Sequence, residues 1–359
     1  MEWSVVPGCV RPDPVPSAAM ELSNASTLPA SWYHDPEIFR LEREAIFARE
    51  WNVVARAAQL VEAGAYVATE LAGSPLVIVR GENGELRGFH NVCRHRAGPL
   101  VWDGDGRCSR FVCRYHGWSY SLDGALTSAR DFGTAAGFDP ADYGLHPVAV
   151  GEWRGLVFAV LDSAAPPLTE AVAGLDTATA PFPMEDFVFA AEAVHELDAN
   201  WKTYADNYHE GYHVPIVHPG LNREVDATRY RVDVDGPLYA HSVPTRDGAV
   251  NAGCWLWRHP ALALNLYPDG MNVERWVPVS PTRTRLEYWY FFRHPDSAEA
   301  AEVVKMSSEI TAEDVRICEA VQRNLAAGTY EVGRLSPRHE NAVFDFQLRV
   351  RSAVEGAAS

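Results

Sequence analysis

Two short pairs of metal-ligand residues constrain this chain more than any other feature of its sequence. Cys93 and His95 are separated by one residue, Cys113 and His116 by two, and seventeen residues lie between the pairs. Each pair is small enough for one tight loop, so two loops that project from strands can close on a metal centre from both sides. Gly98 suits such a loop, because glycine lets the backbone approach an inorganic centre closely.

The two pairs fit two kinds of metal centre. Two thiolates and two imidazoles can hold a tetrahedral zinc ion. They can also hold a two-iron cluster in which both cysteines bind one iron and both histidines the other, the Rieske arrangement. Zinc fingers usually group like ligands, whereas each pair here mixes one cysteine with one histidine, which favours the [2Fe–2S] cluster. The other thiols are interpreted as ordinary side chains: Cys9, Cys108, Cys254 and Cys318.

A second group of candidate ligands lies in the stretch NWKTYADNYHEGYHVPIVHPG, residues 200–220. It contains Asp206, His209, Glu210, His213 and His218. The last two are five residues apart, which on a regular helix separates their side chains by roughly 140°. Pro215 disfavours a regular helix, so His213 can end one helix while His218 returns from the next turn. Glu210 is placed to hydrogen-bond a ligand imidazole and orient it.

Two histidines need a carboxylate to complete the facial triad of non-haem Fe(II) oxygenases, which leaves open positions for oxygen and substrate. The candidates lie in ITAEDVRICEAVQRN, within a predicted long helix. Asp314 is close to the apolar stripe of that helix, Glu313 is one position round, and Glu319 is five further on. The pattern alone does not choose among these three carboxylates.

The composition argues against several functions. Of 359 residues, 48 are acidic and 31 basic, and the net charge is −17. A field of that sign repels the phosphates of nucleic acids and of anionic membranes. No run of about 18 apolar residues could span a bilayer, and residues 1–16 do not resemble a secretory signal. Six cysteines are too few for a disulfide scaffold, so we expect a cytoplasmic protein whose thiols serve a metal centre.

Changes in composition along the chain predict two domains behind an N-terminal segment. Residues 1–30 are predicted to form a flexible or loosely packed arm. Residues 31–50 are predicted to form a helix that packs on the second domain, with Asp35 as its N-cap and Pro36 at its first position. Residues 51–161 alternate short β-rich runs with turn signals, which predicts a small all-β domain. Residues 162–359 predict an α+β domain, an antiparallel sheet that carries helices.

Within the second domain, helices are predicted over 201–212 and 297–326, with strands between 228 and 293. The long helix has an apolar stripe that we expect to face the core: Val303, Met306, Ile310, Ile317, Val321 and Leu325. The strands are rich in aromatic residues: Trp255, Trp257, Tyr267, Trp276, Tyr288, Trp289, Tyr290, Phe291 and Phe292. Most of these are expected in the core or at an interface, while others can form a pocket wall for an aromatic ring or a quaternary ammonium group.

Together the two motifs resemble the terminal oxygenase α subunits of Rieske non-haem iron oxygenases, the aromatic-ring-hydroxylating family, from about residue 28 to 322. NVCRHRAGPLV…FVCRYHGW is similar to the cluster motif of that family, and NWKTYADNYHEGYHVPIVHPGL to its iron motif. The resemblance implies a catalytic domain of the helix-grip type. It implies a [2Fe–2S] cluster on Cys93, His95, Cys113 and His116, and a mononuclear Fe(II) on His213, His218 and Asp314.

The resemblance also implies partners and further roles. In a homotrimer, Glu210 would bridge His213 and the partner subunit's His116, and Asn207 would lie near the iron. A separate NAD(P)H-dependent reductase, with or without a ferredoxin, would supply electrons, which agrees with the absence of a G-x-G-x-x-G loop from the sequence. The sequence is most similar to the branch of choline and glycine betaine monooxygenases and one-subunit demethylases.

We therefore expect a terminal oxygenase that uses O2 and reductase-delivered electrons to hydroxylate, or N- or O-demethylate, a small organic substrate. Two alternatives stay open: an aromatic-ring dihydroxylating dioxygenase, and a non-catalytic Rieske electron-transfer protein with a degenerate second domain. The joint presence of Glu210, His213, His218 and Asp314 argues against the electron carrier.

Overall fold

The chain folds as two units. One is Phe47–Ala171, and the other combines Met1–Ile46 with Val172–Ser359. The computed structural model describes residues 22–245 and 253–358, so most of the predicted arm, including Cys9, lies outside the described residues. Within those ranges, no helix combines the length and apolar character that crossing a membrane requires.

Short antiparallel strands build the first unit. They are β1 (Asn52–Arg56), β2 (Ala65–Leu71), β3 (Ser74–Arg80), β4 (Leu86–His90), β5 (Gly104–Arg107), β6 (Phe111–Val112), β7 (Ser119–Tyr120), β8 (Leu126–Ser128), β9 (Pro147–Trp153) and β10 (Leu156–Val160). One sheet has the order β1-β10-β9-β4-β3-β2-β5, and another the order β6-β7-β8. Alternate side chains of β3 belong to different hydrophobic cores. Val77 and Val79 lie in one core, and Leu76 and Ile78 lie in the other. This strand is therefore covered on both faces.

Two loops of this unit carry the Cys/His pairs. The segment after β4 contains the first pair, and the turn between β6 and β7 contains the second. Backbone hydrogen bonds close each loop: the N–H of Cys93 donates to the carbonyl of Gly98 at 2.9 Å, and the N–H of Cys113 to that of Trp118 at 2.8 Å. Each pair therefore lies on a loop that its own backbone holds in place.

The second unit is built on an antiparallel sheet of longer strands. They are β11 (Val188–Leu197), β12 (Arg231–Asp235), β13 (Leu238–Ser242), β14 (Cys254–Arg258), β15 (Leu262–Tyr267), β16 (Gly270–Ser280) and β17 (Arg283–Phe292). They pair in the order β11-β17-β16-β15-β14-β13-β12. The predicted α+β class with an antiparallel catalytic sheet is confirmed.

Helices complete both units. They are α1 (Pro36–Glu42), α2 (Leu168–Ala171), α3 (Ala173–Thr179), α4 (Trp201–Tyr208), α5 (Val214–Val217), α6 (Leu221–Glu224), α7 (Ala298–Ala326) and α8 (Asn341–Ala358). Single turns of 3-10 helix lie at Ala30–Tyr33, Ala57–Leu60, Pro140–Tyr143, Met184–Asp186 and Ala227–Arg229, and a π-helical turn at Arg43–Phe47. The long helix begins where predicted, because Ser297 caps it: its hydroxyl accepts from the N–H of Ala300.

The inward face of α7 is polar and differs from the predicted apolar stripe. Its buried residues recur at helical spacing: Val303, Ser307, Thr311, Asp314, Cys318, Gln322 and Leu325. The predicted stripe is right at its two ends, but Ile317 and Val321 are 39% and 40% exposed. The prediction fails there because the inward face carries hydrogen-bonding groups, which a search for hydrophobic periodicity cannot detect.

The first described residues are packed, in contrast to the loose arm predicted for 1–30. Leu22 and Ala25 are buried against Leu335 and Val343. The backbone N–H of Leu28 donates to the Oε1 of Gln347 at 2.8 Å, in a buried position. Residues near the start of the chain therefore pack on its C-terminal helix.

A buried ion pair joins α1 to α4. The first helix follows its predicted cap, Asp35, but the single helix predicted over 31–50 is wrong: the α-helix ends at Glu42, and a π-helical turn follows at Arg43–Phe47. Glu42 and Lys202 are both fully buried, and the Nζ of Lys202 lies 2.6 Å from the Oε1 of Glu42. The indole N–H of Trp201 donates to the other carboxylate oxygen at 2.8 Å. Burial lowers the pKa of Lys202, and the neighbouring carboxylate opposes this, so each charge depends on the other.

Replacing Glu42 by glutamine is expected to lower the free energy of unfolding by roughly 3–5 kcal/mol, because it leaves an unpaired ammonium in the interior. Urea denaturation of the wild type and the variant measures the loss. Glu44→Gln is the matched control, since Glu44 pairs with Arg40 in an exposed position, where an ion pair contributes at most about 1 kcal/mol. Equal effects of the two substitutions would show that the buried pair does not stabilise the junction of α1 and α4.

Candidate metal centres and substrate cavity

The predicted Cys/His set comes together at the tips of its two loops. Cys93 and Cys113 are buried, whereas His95 is half-buried and His116 exposed. The centroids of the two imidazole rings lie 4.7 Å apart, and the ring of His95 stacks on Trp118. The set therefore has an inner pair of thiols and an outer pair of imidazoles.

This arrangement fits a two-iron cluster better than a single zinc ion. Among the described residues, three ligand atoms come within 4.8 Å of one another only at His213, His218 and Asp314, so the Cys/His set is not spaced for one ion. The first loop approaches the thiol closely and needs glycine at position 98, because a Cβ on Gly98 would lie 2.9 Å from the Sγ of Cys113. The separate thiol and imidazole pairs match a cluster with one kind of ligand on each iron.

The second group of candidate ligands comes together around one point. The Nε2 atoms of His213 and His218 lie 3.1 Å apart. The Oδ1 of Asp314 lies 2.9 Å from the Nε2 of His218 and 3.7 Å from that of His213. Two imidazoles and one carboxylate that converge in this way fit a facial set of ligands for a divalent iron.

Hydrogen-bonded neighbours orient the two imidazoles. The Nδ1 of His213 lies 2.6 Å from the Oε1 of Glu210, and the Nδ1 of His218 lies 2.8 Å from the Oε2 of Glu313. A proton on each Nδ1 leaves the Nε2 lone pair free to bind a metal. Asn207 Nδ2 donates to the Oδ1 of Asp314 at 2.6 Å, which fixes the carboxylate as well.

A break in the helix creates this convergence. The helix predicted over 201–212 ends at Tyr208, four residues early, and the chain resumes a helical turn at Val214 with His213 as its N-cap and Pro215 in its first turn. Glu210 Oε2 accepts from the backbone N–H groups of Tyr212 and His213 within the break. The irregularity that Pro215 predicts therefore brings both histidines to one point.

The remaining candidates of the two motifs lie elsewhere. Glu319 accepts from the backbone N–H of Asp198 at 3.2 Å. Asp206 is hydrogen-bonded to the hydroxyl of Tyr33 and the amide of Gln347, and burial raises its pKa to about 7. Neither carboxylate belongs to the convergent group, so the structure separates Asp314 from Glu319, which the sequence pattern could not do.

A cavity of about 110 Å³ lies beside the three convergent ligands. Six tyrosine and tryptophan residues form part of its wall: Tyr204, Tyr208, Tyr230, Trp255, Tyr267 and Tyr288. The hydroxyl of Tyr288 lies 3.0 Å from that of Tyr204 and accepts from Thr311 at 2.9 Å, which holds both rings in place. Of the strand aromatics predicted from the sequence, Trp255, Tyr267 and Tyr288 reach the cavity, and the others lie outside its wall.

The polar part of the cavity wall, formed by Asn265, Asn272 and Glu274, was not predicted from the sequence. Asn265 on β15 faces Asn272 across the hairpin, and its amide donates 2.7 Å bonds to Asn272 and to Glu274 on β16. Burial raises the pKa of Glu274 to about 7. The available signal was the occurrence of these polar residues in the otherwise apolar strands of ALALNLYPDGMNVERWV.

Three buried histidines pack behind this wall without a complete set of hydrogen-bond partners. The imidazole of His209 stacks on Tyr239 and lies 6.2 Å from that of His241. Among the described residues, both nitrogens of His209, one of His241 and one of His259 have no hydrogen-bond partner. Burial lowers the pKa values of His241 and His259 to about 3, so these rings are neutral at ordinary pH.

Comparisons with known proteins agree with this architecture. Residues 50–139 match the model of the Rieske [2Fe-2S] domain, and residues 184–253 and 241–356 match that of the ring hydroxylating alpha subunit (catalytic domain). The glycine betaine monooxygenase oxygenase subunit of Chromohalobacter salexigens is 38% identical, over 89% of this chain and 84% of its own. The chloroplastic choline monooxygenase of Arabidopsis thaliana is 30% identical, over 87% of this chain and 79% of its own.

A solved structure gives the same result. A quaternary ammonium Rieske monooxygenase, described in connection with carnitine oxidation and inter-subunit electron transfer, superposes with a TM-score of 0.83 at 28% identity, covering 93% of this chain and 97% of that one. The chain therefore belongs to the Rieske oxygenases that have a ring-hydroxylating alpha subunit catalytic domain.

This membership confirms the predicted class, fold and cofactors. The protein is the terminal oxygenase component of its system, with a Rieske [2Fe–2S] cluster and a mononuclear iron. It oxidises a small organic substrate with O2 and with electrons that a separate reductase takes from NAD(P)H. The similarity to monooxygenase subunits favours this function over both alternatives, the aromatic-ring dihydroxylating dioxygenase and the non-catalytic carrier.

The neutral histidines predict a pH dependence of stability. An unfolded histidine binds a proton below about pH 6.5, whereas folded His259 stays neutral down to about pH 3. The free energy of unfolding therefore loses up to about 1.4 kcal/mol per pH unit from this residue as pH falls below 6.5. His259→Gln is expected to remove that contribution, which denaturant titrations between pH 6 and 4 measure.

The comparison between wild type and variant isolates this effect. Asp206 and Glu274 have raised pKa values and act in the opposite direction, since their folded forms bind protons first, but they are present in both proteins. His294→Gln is the control, because His294 is exposed. An unchanged slope for His259→Gln would contradict a neutral His259 in the folded protein.

Proposed function

We propose that this chain holds its Rieske cluster on Cys93, His95, Cys113 and His116, and its mononuclear iron on His213, His218 and Asp314. The convergence of two Nε2 atoms and one carboxylate oxygen on a single point of the cavity wall carries the second assignment. The cluster module is assigned to residues 51–161 and the oxygen-activating module to 162–359.

The chain's own residues prepare the iron site in stated ways. Glu210 and Glu313 hold protons on the Nδ1 atoms of His213 and His218, so that both imidazoles present Nε2. Asn207 holds the carboxylate of Asp314 in its binding orientation. The bound cluster supplies electrons singly, and the bound iron activates oxygen. Aromatic walls exclude water from the substrate, which lies next to the three ligands.

We further propose that the substrate is a small quaternary ammonium compound. The two curated relatives are named for glycine betaine and choline, and the solved relative for quaternary ammonium. The cavity suits that class, because the π faces of tyrosine and tryptophan attract a desolvated cation. Hydroxylation of a methyl group on nitrogen would give a carbinolamine that breaks its C–N bond to release formaldehyde, a tertiary amine and a proton. Hydroxylation of the alcohol carbon of choline would give a gem-diol that loses water to form an aldehyde.

Electron transfer between subunits is proposed to require a head-to-tail homotrimer. His116 is exposed at a loop tip, and Glu210 already hydrogen-bonds His213, so we propose that Glu210 bridges His213 and the partner subunit's His116. Light scattering of the holoenzyme should give three times the mass of one chain, and a single-chain mass would contradict the bridge.

The reductase is proposed to donate electrons to the cluster directly or through a ferredoxin. The thiolate ligands suit a reducing cytoplasmic location, which cell fractionation can check.

Asp314→Asn is expected to lower the iron content from three ions per chain to two, because the cluster stays bound while the mononuclear site loses its anionic ligand. Product formation from choline in the presence of a generic reductase should fall by at least 100-fold. Metal analysis and chromatography of the aldehyde measure the two effects. Product is measured rather than NADH loss, since oxygen can consume electrons without oxidising substrate.

Glu319→Gln is the matched control, as it changes a carboxylate on the same helix that lies outside the convergent group. It should retain three irons and near wild-type product formation. If Asp314→Asn keeps three irons, or if Glu319→Gln loses one, the proposed ligand set is wrong.

A further inference from the structure

One carboxylate of the cavity has no role in holding the metal. Glu274 lies on β16, is 4% exposed, and lines the cavity. Its Oε1 accepts from the amide of Asn265 at 2.7 Å, and the indole N–H of Trp276 lies 3.5 Å from its Oε2. Both partners are neutral, so they do not compensate a negative charge.

The described wall of the cavity offers no cation for Glu274. Its residues include the carboxylates Glu210 and Asp314, and among them there is no lysine or arginine. Glu210 and Asp314 face the histidines of the iron site, which leaves Glu274 alone on the sheet side. An ionised carboxylate in a buried position is costly unless a positive group lies beside it. A cationic ligand in the cavity would supply that group.

Aromatic rings surround the same carboxylate. Tyr288 on β17 lies opposite Glu274 in the strand register, and Tyr204 and Tyr267 line the same cavity. These rings offer π faces to a cation, while Glu274 offers a full negative charge. This combination is specific for a large, weakly hydrated cation. The rings pack against the apolar surface of the cation, and the carboxylate balances its positive charge.

We propose that Glu274 is the countercharge for the quaternary ammonium group of the substrate, and that the cavity selects substrates that carry no other charge. This inference rests on the proposed function and narrows it to choline-like cations. A zwitterion such as glycine betaine would bring its own carboxylate into a cavity in which Glu274 is already negative, and the repulsion between the two carboxylates lowers its affinity.

The burial of Glu274 agrees with this assignment. Desolvation raises its pKa to about 7, while the hydrogen bonds from Asn265, Trp276 and Tyr288 lower it and the charge of Asp314 raises it further. At neutral pH, Glu274 is therefore present in both its protonated and its ionised form. A cation bound beside it favours the ionised form.

The test compares a cation with its neutral isostere. Choline and 3,3-dimethylbutan-1-ol have nearly the same shape, and only choline is charged. In calorimetric binding to the holoenzyme, Glu274→Gln is expected to weaken choline at least 10-fold and to leave the neutral alcohol within twofold. Glu274→Asp keeps the charge and should restore a large part of the choline affinity. Glycine betaine should bind the wild type more weakly than choline and lose little on Glu274→Gln.

Glu196→Gln is the matched control, since Glu196 is an exposed carboxylate of the same sheet that pairs with Arg283. It should change none of the three affinities. Equal choline affinity in wild type and Glu274→Gln would overturn the inference, and so would an equal loss for choline and the neutral alcohol, which indicates a general disturbance of the cavity. Tighter binding of glycine betaine than of choline by the wild type would overturn the selectivity.

The binding assay separates this inference from the proposed function. If choline binds through Glu274 but yields no product with reductase and O2, choline is a ligand and the proposed substrate class is wrong, while the countercharge stands. If several quaternary ammonium compounds are oxidised and Glu274→Gln binds them as the wild type does, the proposed function stands and the countercharge is wrong.

Discussion

The buried polar face of α7 is the constraint on which the catalytic unit depends. Gln322 accepts from the backbone N–H of Asn200 and donates to the carbonyl of Tyr33, which ties the start of α4 and the N-terminal segment to one side chain. Two further residues lie on the same face of α7. Asp314 contacts His218 at the proposed iron site, and Thr311 donates a hydrogen bond to Tyr288. A single helix therefore sets the positions of the proposed metal ligand, of Tyr288 in the cavity wall and of the N-terminal segment, and a shift of its register would displace all three.

This constraint explains how one cavity can hold both the proposed metal site and the proposed cation site. The two functions use different carboxylates on different elements, Asp314 on α7 and Glu274 on β16, and each is fixed by an amide, from Asn207 and Asn265 respectively. An amide can position a carboxylate without neutralising it. The negative charges of Asp314 and Glu274 therefore remain available to the proposed metal ion and to the proposed cationic substrate.

The family, the two domains' fold classes and both cofactors could be predicted from the sequence, because metal ligands at fixed spacing are local features. The inner face of α7 could not: Ser307, Thr311 and Gln322 are polar, so periodicity assigned the helix core to Ile317 and Val321, which are exposed. The choice of Asp314 over Glu319 needed three-dimensional proximity to His218. The position of Glu274 could not be predicted either, because a carboxylate within a strand usually faces solvent. Here the strand lines the cavity, and Glu274 is buried.

The contact between the first described residues and the C-terminal helix has a consequence for the order of folding. The unit Phe47–Ala171 is continuous along the chain, so it can fold during synthesis as soon as its own last strand has emerged. The other unit needs Leu28 to meet Gln347 and Glu42 to meet Lys202, contacts that span long stretches of sequence and close slowly. Until α8 leaves the ribosome, Leu28 and Asp206 lack their hydrogen bonds to Gln347. The catalytic unit is therefore the late folder, and the segment exposed longest to chaperones and proteases is the one that will hold the iron.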